Sequence, residues 1–379
     1  MLARLYFPSD FGHLALFLSA AGILVAVSCL RYEVTIAVVD DDHVPAGVWV
    51  AVGSALLLFL TLLLVVSLHL PQMLFPQFEE LGRDIWGVPI FGVCGGLVLV
   101  GMQLTLRRAE FWLNAALRSA QTVLFVLVAL LWTDVGLVGT SILSGMVVGL
   151  MVILYLIKEA PAVGAVELRR VAQEYIKYPL LLMPTSLLDA MALAAPVFFI
   201  SSVYGVEATG YYSQIQRLVG APLILAGLVV GQLFLKRSGE RYRRGQSSLA
   251  LLWKSVAALA VVAVTIFVFL LAGGEYFLGW VLGSAWRVDT VFVLLVTAPL
   301  LFRLIVSPVS SVFITHNRVG SGVRWQLGYF VSTICVLYIA SAKLSLEYFL
   351  SVYALHEAVL YSVYLYMANL AAHRIRKIQ

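Results

Sequence analysis

Eight ionisable side chains in this 379-residue chain fall inside long apolar stretches: Arg31, Glu33, Arg118, Asp189, Arg217, Arg303, His356 and Glu357. An ionised group in a bilayer-length segment costs about 2.5–3.5 kcal/mol on insertion scales, so each needs a partner, a cavity or an interface. Their spacing sorts them onto polar stripes. Asn114, Arg118 and Gln121 follow at i, i+4, i+7, as do Arg303, Ser307 and Ser310. Tyr353, Glu357, Tyr361 and Tyr364 descend one face, Ser213, Arg217 and Gly220 share another, and Thr185 sits above Asp189. A helix facing lipid all round would not string polar groups on one side, so these faces are expected to meet protein or water.

The four arginines outnumber the carboxylates Glu33, Asp189 and Glu357. A net-positive polar interior suits an anionic ligand. The guanidinium stays charged when partly desolvated and offers phosphate a planar fork of donors. A diphosphate headgroup fits Arg31, Arg118, Arg217 and Arg303 as substrate-binding residues, with Asp189 and Glu357 as candidates for ion coupling. The competing reading is architectural: arginine–carboxylate pairs also fasten helices together. Lys254 lies near the end of its stretch, where its stem can carry the ammonium to the interface.

The sequence carries no phosphate-binding glycine loop, no zinc-protease or nucleophile-elbow signature and no metal-ligand spacing. The histidines share no ligand spacing, and Cys29, Cys94 and Cys335 lie in apolar surroundings without a paired motif. No cofactor, metal or enzymatic activity is expected. Asp40, Asp41 and Asp42 read as a solvated acidic turn.

These residues are carried by a membrane protein. The chain is 62% hydrophobic and 12% charged, with mean hydropathy +0.98. Soluble domains carry about twice that charge. Eleven bilayer-length stretches, near 13–36, 46–70, 86–106, 110–132, 135–157, 178–203, 209–235, 249–272, 288–314, 324–342 and 347–371, predict an all-α polytopic bundle. Lys and Arg crowd alternate loops: Arg107 and Arg108; Lys158, Arg169, Arg170 and Lys177; Lys236, Arg237, Arg241, Arg243 and Arg244; Arg318, Arg324, Arg374, Arg376 and Lys377. The opposite loops hold Arg4, Arg83, Arg287 and Lys343. The basic side is therefore expected to be cytoplasmic, with the C-terminus inside. The net charge of +5 reflects this topology and not nucleic-acid binding.

An internal echo suggests a repeat. Tyr6–Gly12 and Tyr204–Gly210 each place an acidic residue in a turn and a glycine six positions after a tyrosine, before an apolar run bearing Arg31 or Arg217. The expected organisation is an N-terminal lobe of about five spans over 1–157, a cytoplasmic linker over 158–177 and a C-terminal lobe of six spans over 178–379. The linker should hold a short amphipathic helix near Val166–Lys177. Two matched lobes imply a further helix before residue 1; the alternative is a short translocated N-terminal tail.

Several stretches are similar to one family. ARLYFPSDFG, LRYEVTIAV, EYIKYPLLLMPTSLLD, YGVEATGYYSQIQRLVGAPL, GSAWR and PVSSVFITHNR occur in the order seen in the polysaccharide transporter (Wzx-type flippase) family. That family is grouped with multidrug exporters and lipid II flippases. The resemblance implies about twelve to fourteen helices in two lobes around a cationic cavity. It implies ion-driven flipping of undecaprenyl-diphosphate-linked oligosaccharide across the bacterial inner membrane, for O-antigen or exopolysaccharide synthesis. Arg31 and Arg217 match the family's recurring arginines, whereas Arg118 and Arg303 come from the stripes. Implied partners are the lipid-linked oligosaccharide, membrane lipid, a polysaccharide polymerase and glycosyltransferases. Alternatives are a drug exporter of the same superfamily, a membrane glycosyl polymerase or ligase, and a truncated inactive remnant.

Overall fold

The computed structural model describes residues 2–74, 76–283, 286, 288–316 and 318–373. Arg287, Arg374, Arg376 and Lys377, part of the charge asymmetry above, lie outside them, as does most of GSAWR. Helices follow one another in the order α1 (Pro8–Val27), α2 (Val44–Ser67), α3 (Gly87–Arg107), α4 (Phe111–Leu131), α5 (Gly136–Glu159) and α6 (Ala165–Glu174). A 67-residue helical stretch, Lys177–Arg243, comes next, then α9 (Leu249–Leu282), α10 (Thr290–Val306), α11 (Val319–Ser341) and α12 (Leu346–His373).

A bilayer crossing takes about 20 residues, and Lys177–Arg243 is far longer. It breaks at Gly205, whose φ of 87° and ψ of 170° leave the helical region. The segments on either side are α7 (177–204) and α8 (206–243). A residue with a Cβ adopts that positive φ only under strain, so glycine is the residue that permits the corner. Of the prolines in the apolar stretches, Pro184, Pro196 and Pro222 sit in continuous helix, whereas Pro308 lies at the start of a 3₁₀ segment, Ser307–Ser311, just past the end of α10. A second interruption, in α9, also falls on a glycine, Gly273.

Nine helical stretches among the described residues have the length and apolarity to cross a membrane. Dividing the longest at Gly205 gives ten; the 28-residue α12 occupies the place of the eleventh stretch read from the sequence but is not among these apolar helices. The architecture is all-α, with no strand among the described residues.

The chain divides into two units, Arg4–Ser202 and Val203–Gln379. In the first, α3 packs against α1, α2 and α5, and α5 also packs against α4. Its centre is apolar and small-residue-rich, with Val48, Ala51, Val52, Val100 and Val152 buried together. Without an aqueous driving force inside a bilayer, helices gain from close approach and van der Waals fit. Gly96 shows this: a Cβ there would overlap the Ser28 side chain, and its carbonyl lies 3.4 Å from Cys29 Sγ. In the second unit α10 packs against α9 and α12, and α12 against α11. Phe234, Leu252, Val309, Phe313 and Ala368 form its core.

The tyrosine echo has a three-dimensional counterpart. Within the first unit the Tyr6 hydroxyl donates to the Ala129 carbonyl at 2.8 Å, near the end of α4. Within the second, the Tyr204 hydroxyl donates to the Leu344 carbonyl at 2.9 Å, just past α11. Each tyrosine precedes a long helix; Tyr6 fastens the last turn of α4, and Tyr204 fastens the turn between α11 and α12.

The basic loop residues also fasten structure. Arg107 donates to the Ile36 carbonyl and to Asp41, both at 2.6 Å, so the acidic turn is partly engaged and not simply solvated. Arg108 pairs with Glu159. Helix α6 runs Ala165–Glu174, close to expectation, and packs on α2. The Tyr32 hydroxyl donates to its Ala172 carbonyl at 3.0 Å, and His43 Nδ1 lies 2.9 Å from Glu167.

Candidate functional site

The densest polar constellation lies inside the second unit. Arg303 on α10 donates from Nε to the Tyr361 hydroxyl at 2.8 Å and from Nη2 to the Tyr329 hydroxyl at 3.1 Å. Tyr329, on α11, passes the chain on by donating to Glu357 Oε1 at 2.9 Å. Glu357 on α12 is 1% exposed. His356 Nδ1 lies 3.9 Å from the same carboxylate oxygen, and its Nε2 is 3.2 Å from Ser332 Oγ. Three helices thus contribute to one arginine–tyrosine–glutamate relay.

Aromatic rings surround the relay. Trp325 stacks on Tyr364 at 4.4 Å and 9°, and its ring is 5.9 Å from Tyr329. Tyr329 and Tyr361 are 6.2 Å apart. Beside these rings Glu357 is shielded from solvent, and a low local dielectric strengthens the electrostatic contacts it makes. A buried charge pair without its hydrogen bonds would be costly. Here the hydroxyls of Tyr329 and Tyr361 supply them.

The sequence stripe correctly joined Glu357 to Tyr361, but it gave no link between Arg303 and Glu357. Spacing within one helix cannot show which stripe on another helix it meets. Tyr329 was missed because tyrosine in an apolar helix has no distinguishing signal until its hydroxyl is seen between two charges.

The other candidates stand apart. Arg31 was expected within the first span, yet α1 ends at Val27. Leu30 and Arg31 both adopt positive φ, 48° and 65°, ending the helix before a short 3₁₀ segment at Tyr32–Ala37. Arg31 Nη1 pairs with Glu33 Oε1 at 3.2 Å in this turn. Burial raises the Glu33 carboxyl above its ordinary value, opposed by its own backbone N–H and by Arg31. Arg31 Nε and Glu33 Oε2 are buried and without protein partners among the described residues.

Arg118 on α4 and Arg217 on α8 are exposed and make no hydrogen bond or ion pair among the described residues. Their stripe neighbours behave differently. Asn114 donates to the Met102 carbonyl at 2.7 Å, turning inward. Asp189, on α7, is exposed and engaged in an interaction of its own. It belongs to the first unit, whereas Arg217 belongs to the second. Arg31 and Arg217 also sit differently: one lies beyond a helix end, the other inside a helix.

Residues 1–290 match the sequence family described as polysaccharide biosynthesis protein. The chain belongs to that family. No curated protein matches it significantly. Among solved structures, one titled as the inward-facing conformation of a multidrug resistance MATE family transporter of the MOP superfamily is similar, with a TM-score of 0.68. That likeness covers 96% of this chain and 90% of the other, at 16% sequence identity, and so speaks to fold. This polysaccharide biosynthesis family member is therefore a multi-pass membrane protein with a transporter fold.

Proposed function

We propose that this protein flips an undecaprenyl-diphosphate-linked oligosaccharide across the bacterial inner membrane for surface polysaccharide synthesis. The observation that carries the reading is the pair of partnerless in-membrane arginines, Arg118 and Arg217, in a chain of the polysaccharide biosynthesis family. An unpaired guanidinium on a bilayer-length helix is expensive. A diphosphate that arrives and leaves would complete such groups transiently.

The phosphate-seeking cations are Arg31, Arg118, Arg217 and Arg303. Arg303 is pre-oriented by Tyr329 and Tyr361, which reduces the entropy lost when its guanidinium meets phosphate. The prenyl tail stays in lipid, so the protein needs to shelter only the diphosphate and sugars. Glu357, joined to Arg303 through Tyr329, is the preferred seat for the coupling ion. A charge change there is felt directly by a phosphate-binding arginine. Asp189 is the second candidate.

The test is complementation in a strain lacking its own flippase. The wild-type chain should restore surface polysaccharide, and Arg217→Gln and Arg118→Gln should fail to do so at normal protein levels. Full restoration by the double variant would overturn the cationic reading. Efflux of cationic drugs without polysaccharide rescue would favour a drug exporter instead.

A further inference from the structure

A second polar site lies at one end of the second unit, away from the Arg303 relay. A groove of about 340 Å³ is lined there by Tyr204, Glu207, Tyr211, Asp289, Phe292 and Leu346, among others. Its size is within the range of small-molecule sites, about 300–1,000 Å³. Three helix starts supply the wall: α8 just after the Gly205 corner, α10 and α12. The end is opposite to the one carrying Arg237, Arg241, Arg243 and Arg244 at the far terminus of α8.

The groove's chemistry is two-sided. Three aromatic rings give it flat apolar faces, and two are held in place. The Tyr204 hydroxyl is committed to the Leu344 carbonyl, and Tyr211 meets the buried Trp286 edge-on at 5.5 Å. Its polar groups are mostly unspent. Glu207 and the Tyr211 hydroxyl have no hydrogen-bond partner among the described residues. Asp289 caps α10 by accepting from the Val291 N–H at 3.1 Å through Oδ2, which leaves Oδ1.

A ligand matched to this lining presents an apolar face to the rings and several donors at its edge. Carboxylates only accept, each with room for several hydrogen bonds. Pyranose sugars have that form, with C–H groups on a ring face and hydroxyls around the rim. Two carboxylates repel a diphosphate, so the groove is unsuited to the anionic end of a lipid-linked glycan. It suits the uncharged sugars, and amino sugars still better. A bare cation would use the carboxylates but not the ring faces.

Resting on the flippase reading, we infer that this groove is a sugar-binding subsite for the oligosaccharide part of the cargo. Tyr211 and Phe292 stack on a sugar ring, and Glu207 and Asp289 accept from its hydroxyls. The arginines hold the diphosphate and this groove holds the glycan, so the two chemically unlike ends of one substrate have separate seats.

The test uses the full-length protein purified in detergent. Its probe is the repeat-unit oligosaccharide released by mild acid from the source organism's own surface polysaccharide, free of lipid and phosphate. Saturable binding is expected by calorimetry or tryptophan fluorescence, weakened tenfold or more in Tyr211→Ala and in Glu207→Gln. Asp289→Asn retains an equally good helix cap and should lower affinity without lowering thermal stability. Inorganic pyrophosphate should not compete. Absence of oligosaccharide binding, or binding unchanged in all three variants, overturns the inference. So does binding of calcium or sodium that is lost in Glu207→Gln and is indifferent to Tyr211→Ala. Gene deletion separates the two levels. If surface polysaccharide survives deletion, the flippase reading fails. If deletion abolishes it and the three variants restore it with unaltered oligosaccharide binding, only the groove assignment fails.

Discussion

Tyr329→Phe removes a single oxygen atom and takes a partner from two charged groups. That hydroxyl accepts from Arg303 Nη2 at 3.1 Å and donates to Glu357 Oε1 at 2.9 Å. A hydrogen bond to a charged group contributes about 1.5–3 kcal/mol, so two give an upper range of roughly 3–6 kcal/mol. Arg303 keeps its 2.8 Å bond to Tyr361 and is only half-buried, which moves the expectation to the low end, about 3 kcal/mol. That is a fall of about a hundredfold in the folded-to-unfolded ratio. Reversible unfolding in mixed micelles, titrated with a denaturing detergent, measures it. Tyr361→Phe, which loses the bond from Arg303 Nε, should cost about half as much. The decisive measurement is the cycle with Glu357→Gln. In the wild type this change weakens a charge-assisted bond, whereas in Tyr329→Phe the bond is already gone, so the second cost should shrink by about 1 kcal/mol or more. A Tyr329→Phe protein within about 0.5 kcal/mol of wild type, or equal Glu357→Gln costs in both backgrounds, would refute the relay.

Other perturbations should separate fastening from function. Arg118→Gln and Arg217→Gln touch no partner and should leave stability within about 0.5 kcal/mol of wild type while abolishing polysaccharide rescue; equal loss of both would mark them as structural. Tyr6→Phe and Tyr204→Phe should each cost about 1 kcal/mol, with the same denaturant midpoint shift, since each removes one equivalent hydroxyl–carbonyl bond. For Glu33, the folded-state pKa is raised, so the folded chain holds its proton in a range where the unfolded chain has lost it. Stability should therefore fall as pH rises from the ordinary carboxylate range, about 4.3, through the raised folded value. Glu33→Gln should erase that segment of the pH–stability curve, and an unchanged curve would contradict it.

The span pattern was legible because bilayer crossing imposes length and apolarity on the sequence itself. Even the corner inside Lys177–Arg243 was visible as a turn near Val203–Thr209, though not its reduction to one residue, Gly205. Proline is an uneven guide to breaks: the helix runs on through Pro184, Pro196 and Pro222, because neighbouring groups in a membrane bundle can absorb a missing N–H, but it gives way to a 3₁₀ segment at Pro308. The first span was drawn too long: LRYEVTIAV is apolar enough to continue α1, but Leu30 and Arg31 turn left-handed and the chain enters a 3₁₀ segment. Hydropathy cannot see that difference. The charged residues were found by type, and their pairing was not. Arg303 and Glu357 are 54 positions apart and meet through Tyr329, a contact set by how α10, α11 and α12 pack. The groove at Glu207 and Asp289 was invisible for the same reason, since each looks like an ordinary loop-edge carboxylate until the rings beside it are placed.

The two tyrosine clasps also put a clock into biosynthesis. Tyr6 and its acceptor Ala129 are 123 residues apart, and Tyr204 and Leu344 are 140. At a synthesis rate of about 5–20 residues per second, either hydroxyl waits roughly 6–30 s before its carbonyl exists. During that interval α1, or later α8, stands in the membrane with its leading end unfastened. The first clasp can close only once α4 has emerged, and the second only once α11 has. A chain stalled within α4 or α11 would therefore expose an unlatched end, giving quality-control proteases a way to tell an unfinished unit from a finished one.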